Sequence, residues 1–156
     1  MDKKRVYQLI LDRLESDLEI AVGAARSAHE AATHEENVAE NKYDTLGLEA
    51  AYLAAGQSRR VEEIRQALAR FQNLVLRDFD PDQGIQTSAL VQLADQDDCH
   101  MWLFLGPDAA GLKVALDGKE ILVISPRSPL GGALLNHQPG AELQVGKRVY
   151  EILDAS

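Results

Sequence analysis

Three observations predict an α+β fold in which a long helical hairpin precedes a small antiparallel sheet with one short helix. No proline occurs between Met1 and Leu76. Two apolar stripes run through that half with steps alternating four and three, the spacing of a coiled-coil seam. After RDFDPDQG (Arg77–Gly84) the pattern becomes short apolar runs separated by turn residues.

The first stripe is Tyr7, Leu11, Leu14, Leu18, Ala21, Ala25, Ala28 and Ala32. The second is Ala50, Ala54, Gln57, Val61, Ile64, Leu68, Phe71 and Val75, with Gln57 its one polar member. Each helix is about 45 Å long at ~1.5 Å per residue, and neither can bury its stripe alone. Folding back on each other solves the problem. In an antiparallel pair the numbers of facing residues have a constant sum. Tyr7 with Phe71 and Leu14 with Ile64 give 78, and Leu18 with Val61 and Ala25 with Ala54 give 79. The chain then reverses at Ala39–Glu40. The seam is large at the base and alanine-rich toward the reversal, where small residues let helices approach closely. Residues 1–77 are expected to form the hairpin, with its tip at about 33–45, and residues 78–156 the second domain.

In the second half, Ile85–Ala94 and Cys99–Leu105 read as strands joined by an acidic turn, Asp95–Asp98. LKVAL and EILVIS form a hairpin through Asp117–Gly118. SPLGGALLN reads as a short helix, with Ser128 at the N-cap and Pro129 at the first helical position. AELQV and RVYEIL close the domain as a hairpin around Gly146.

Composition narrows the function. The 156 residues carry 25 acidic and 16 basic side chains, a net charge of −9. That balance disfavours nucleic-acid binding across a broad face, which needs clustered Lys and Arg. The charge is uneven: residues 29–49 carry six acids and one lysine, whereas residues 50–77 carry five arginines and two glutamates. A basic strip of Arg59, Arg60, Arg65 and Arg70 could meet RNA or a protein partner, or pair with Glu62 and Glu63 at helical spacing. The single cysteine, Cys99, excludes an internal disulfide. Charges interrupt the N-terminus too often for a signal peptide or membrane span. A soluble, cytoplasmic, monomeric protein with no membrane partner is expected.

The chain lacks G-x-S-x-G, a P-loop and a dinucleotide fingerprint. His29 and His34 are five apart, off the spacing that puts two ligands on one helical face; with Glu30 and Glu35 they make at most a weak metal site. Cys99 and Trp102 read as core, His100 as surface. The expected hairpin tip is the richest feature. Glu36, Glu40 and Asp44 recur every four residues, and carboxylates so spaced repel unless a cation bridges them. Mg²⁺ suits such a group because it takes one or two protein carboxylates. The remaining ligands would have to come from another molecule. The plain alternative is a solubilising end to the hairpin.

The segment ISPRSPLGGALLNHQPGAELQV, followed by YEIL, resembles the signature region of the GreA/GreB transcript-cleavage factors of bacterial RNA polymerase. The matching residues are Ile124, Ser125, Ser128, Pro129, Leu130, Ala133, Leu134, Leu135 and Gly140, and RVEEIRQAL (Arg60–Leu68) is also similar. The resemblance covers nearly the whole chain. It implies an FKBP-like C-terminal domain that docks at the rim of the polymerase secondary channel, through Arg127, Ser128, Pro129 and Leu130. It implies a hairpin that enters the channel and presents tip acids to the polymerase active centre, where a backtracked transcript is cut by two-metal hydrolysis. The chain is then an accessory factor rather than an enzyme. It has no cofactor of its own and shares the polymerase's Mg²⁺, with Glu40 as ligand. The family pattern there is an Asp, then a Glu three residues on. In one register Glu40 takes the Glu position and Asn37 the Asp position. In the other, Glu40 takes the Asp position and Tyr43 the Glu position. Neither register restores the pair, and Glu36 or Asp44 could compensate. Within the basic strip, Arg59 and Arg60 are the expected contacts to RNA or polymerase. Alternatives are a channel-binding regulator that does not stimulate cleavage, an FKBP-like prolyl isomerase, and a plain coiled-coil adaptor.

Overall fold

The computed structural model describes residues 1–33 and 46–156, and the side chains of all of these but Leu46 and Gly47. Two long helices come first, α1 (Lys3–Thr33) and α2 (Leu46–Gln72). Then follow β1 (Leu90–Asp95), β2 (His100–Leu105), β3 (Lys113–Leu116), β4 (Lys119–Ile124), α3 (Pro129–Leu134), β5 (Glu142–Val145) and β6 (Arg148–Ala155). The chain divides into two compact units. One holds Met1–Arg13 with Ala69–Ser156, the other Leu14–Leu68.

Asp2 starts α1. Its carboxylate accepts the backbone N–H groups of Lys4 and Arg5 at 3.0 and 3.2 Å, satisfying donors with no partner inside the helix. In the Leu14–Leu68 unit, Ala21, Val61 and Ile64 form a buried cluster joined by Leu18, Val22 and Ala25. The two helices therefore pack on each other through this cluster. In the other unit the Tyr7 hydroxyl donates to the Phe71 carbonyl at 2.6 Å, the pair that the seam arithmetic places face to face.

The helix bases depart from the seam at two points. Val6 and Ile10 are fully buried, ahead of Tyr7 and Leu11. At the second point, α2 stops at Gln72 and Val75 stands 67% exposed. The helix bases belong to the same compact unit as the sheet, so more of their surface is covered there than the stripe facing a single helix. Phe71 is fully buried with its ring centroid 6.2 Å from that of Phe104. Lys3 donates through its ammonium to the Arg77 carbonyl. Burial lowers the Lys3 pKa from its ordinary 10.5, and the nearby Asp78 carboxylate only partly opposes this.

The six strands make one sheet in the order β3-β4-β2-β1-β6-β5. All neighbouring strands are antiparallel except β2 and β4, which run parallel with Leu103 beside Leu122. The sheet is thus antiparallel, as expected from the sequence, at every junction but this one. The β3–β4 hairpin supplies β4 to the β2 edge and leaves β3 outermost, and this order makes the junction parallel. Asp117 and Gly118 both have positive φ, 53° and 74°, as a tight two-residue hairpin turn requires. β1 begins only at Leu90; Ser88 before it is buried and left-handed, with φ 89°.

The main core lies on one sheet face. Val91, Leu93, Leu103, Leu105, Leu143 and Ile152 pack there with Leu134 of α3. Phe104 points to the other face and meets Phe71. β2 is thus buried on both faces at its end, which accounts for its unbroken apolar run. No helix among the described residues is long and apolar enough to cross a membrane.

Candidate functional site

The site with the most complete geometry is the turn into α3. Ser128 is its N-cap, with extended backbone (φ −74°, ψ 153°). The Ser128 hydroxyl accepts the Gly131 N–H at 3.0 Å and donates to the Ser125 carbonyl at 2.7 Å. The Ser125 hydroxyl in turn accepts the Arg127 N–H at 3.0 Å, and the Ser125 carbonyl also accepts the Ser128 N–H at 3.0 Å. Two serines spaced by three thus close one self-satisfied loop of hydrogen bonds. Pro129 fits at the helix start because its position needs no N–H.

This bonding sorts the four expected docking residues. Leu134 anchors α3 in the core, and Leu130 is half-buried against the same cluster. Arg127 and Pro129 are exposed, while Ser128 is half-buried and serves the turn. The outward surface is therefore the guanidinium and the pyrrolidine ring, held by the serines beneath. Sequence reasoning did not single out Gly131. A Cβ there would fall against the Ser125 carbonyl oxygen, deep inside van der Waals contact, and 2.9 Å from the Ser128 hydroxyl. A buried glycine inside a six-residue helix was the available signal. Replacing Ser128 by Ala is expected to cost about 1 kcal/mol through the lost cap, measured by urea denaturation. Ser128→Thr should recover most of the loss.

Arg59 and Arg60 lie on exposed positions of α2. Arg60 approaches Glu63 at 4.0 Å, and Arg65 approaches Glu62 at 3.5 Å. These pairs are well over half exposed and contribute little. Arg70 reaches Asp108 at 2.6 Å. Charge reversal of Arg59 and Arg60 together should change folding stability by less than about 0.5 kcal/mol. A larger change in thermal or urea unfolding would assign them a structural role.

The expected tip residues Glu36, Asn37, Glu40 and Asp44 lie outside the described residues, as do Tyr43, His34 and Glu35. Among the described residues, no three His, Cys, Asp or Glu side chains come together in a way that could hold a metal ion. Cys99 is exposed, not core. It ends the acidic turn, where the Asp95 carboxylate accepts both the Asp97 and Cys99 N–H groups at 2.9 Å. The strand begins one residue later, at His100. Trp102 is half-buried rather than enclosed, with the Lys119 ammonium 5.3 Å from its ring centroid.

No protein-family model and no curated protein matches the chain. Solved structures do. GreA factor homolog 1 of Thermus thermophilus is 24% identical over 94% of this chain and 94% of that one, with a TM-score of 0.37. A structure of the transcription factor Gfh1 is 21% identical over 93% and 92%, again at 0.37. Gfh1 of Thermus aquaticus is 21% identical over 92% of each chain, at 0.35.

Proposed function

We propose that the chain is a Gre-type transcription elongation factor that binds bacterial RNA polymerase at its secondary channel and regulates elongation. The observation that carries the proposal is the Ser125–Gly131 turn. The serines and proline of the signature form a closed local structure there, and Arg127 and Pro129 face outward from it. The antiparallel hairpin ahead of the sheet is the second element that such a factor needs.

In this reading the chemistry belongs to the polymerase. Its Mg²⁺ supplies charge neutralisation and an activated water, and Glu40 is the tip residue assigned as a shared ligand, with Glu36, Asn37 and Asp44 as neighbours. Arg59 and Arg60 contribute positive charge for contact with the transcript or the channel wall. The absence of a complete Asp/Glu pair at the tip favours, as a second reading, a factor that occupies the channel without stimulating cleavage.

Binding is tested with purified core polymerase. Pro129→Ala combined with Arg127→Glu alters only exposed side chains, so it should weaken association while lowering folding stability by no more than about 1 kcal/mol. Unaltered association would remove the docking assignment. A stalled, backtracked complex supplied with Mg²⁺ then separates the two readings. Transcript shortening that disappears with Glu40→Ala identifies a cleavage factor. Binding without shortening identifies the occupying regulator.

A further inference from the structure

We propose that the groove at the C-terminal end of α2 binds an acidic peptide segment of a partner protein, anchored by an aliphatic side chain. The groove has a volume of ≈ 590 Å³, and its walls include Arg70, Leu74, Val75, Arg77, Thr87 and Pro107. Among the described residues none that lines it is acidic, in a chain where acids outnumber bases 25 to 16. The local charge is thus opposite to that of the whole protein.

Each part of the groove follows from the chain around it. Because α2 ends at Gln72, Val75 is not consumed by the helix seam and remains 67% exposed. Arg77 is fixed by its backbone. Its N–H donates to the Ser88 hydroxyl at 3.1 Å, and its carbonyl accepts from Lys3. The guanidinium takes no part in these bonds and has no ion-pair partner among the described residues. Arg70 is half exposed and already holds Asp108 at 2.6 Å, so it frames the groove, and Arg77 supplies the available charge.

The mixed lining selects the ligand class. Complementary charge across a surface gives orientation and specificity, and an exposed aliphatic residue gains when a partner side chain covers it. A peptide with alternating acidic and aliphatic residues satisfies both. A single nucleic-acid strand satisfies only the charge, because among the described residues no aromatic ring lines the groove to stack a base. This inference stands apart from the docking assigned to Arg127 and Pro129.

The test uses the full chain and a fluorescein-labelled peptide of about a dozen residues alternating glutamate and leucine, read by fluorescence anisotropy. Binding with a Kd on the order of 10–100 µM is expected. Arg77→Glu and Val75→Asp should each weaken it by about tenfold or more, with unchanged circular dichroism because both side chains are exposed. A lysine–leucine peptide and an oligouridylate of similar length should not bind. The proposal is overturned if the acidic peptide shows no binding at about 1 mM, or if its binding survives both substitutions. It is equally overturned if the basic peptide binds as well, or if only the oligouridylate binds.

Discussion

Phe71→Ala is expected to lower the unfolding free energy by about 3–5 kcal/mol, the range for deleting a buried aromatic ring. Phe71 is fully buried at the base of α2, and its ring meets Phe104 of β2 at 6.2 Å. Phe104 is fully buried too, so the cavity would be walled by a strand that is hydrogen-bonded on both sides and collapses poorly. The loss also bears on a domain whose total stability is in the range of ~5–15 kcal/mol. Urea denaturation followed by fluorescence of Trp102, the only tryptophan, reports on the same strand. A loss below about 1 kcal/mol would show that the ring is not a core residue.

Gly131→Ala is expected to be as damaging, at about 3 kcal/mol or more, for a different reason. The added methyl would collide with backbone, the Ser125 carbonyl, which cannot yield without breaking the hydrogen bonds that close the turn. Overpacking of a rigid site costs ~1–3 kcal/mol or more. Gly132 is the matched control. It is exposed, and a Cβ there would come no nearer than 3.1 Å to the Pro126 carbonyl. Ala at 132 should therefore fall within about 1 kcal/mol of the parent, since lost chain entropy in the unfolded state offsets the tight contact. Equal losses at 131 and 132 would defeat the steric account. If the turn also docks the polymerase, Gly131→Ala at low temperature should bind less well than Gly132→Ala.

The legible part of the fold was the part governed by a period. The four–three stripes identified both helices and paired Tyr7 with Phe71, a contact that the structure contains. Asp117–Gly118 was legible because two adjacent positive φ angles leave few residue choices. The N-cap at Ser128 was legible from Ser-Pro alone. The order of strands was not. Alternation shows which face of a strand is apolar and says nothing about its neighbour, so the parallel β2–β4 pair escaped. Val6 and Ile10 escaped because a two-helix seam counts one buried face, and the helix bases share a compact unit with the sheet. Gly131 escaped because its role is a collision that only appears once Ser125 is in place. Among the candidate site residues, the serine–proline turn was legible as local structure, whereas exposure separated Arg127 and Pro129 from the residues beneath them.

The position of β1 in the sheet has a consequence for synthesis. β1 lies between β2 and β6, and β6 is Arg148–Ala155, made about 60 residues after β1. On the ribosome, β1 and β2 can form their hairpin early, yet one edge of β1 stays open until β6 emerges. An open, apolar strand edge recruits other strands, and long-range pairing forms slowly. The described helix residues of the Leu14–Leu68 unit need no such wait, because α1 and α2 bury Ala21, Val61 and Ile64 against each other. A nascent chain halted before Arg148 should therefore carry a formed hairpin beside an aggregation-prone sheet, and protection from a holding chaperone would matter most in that interval.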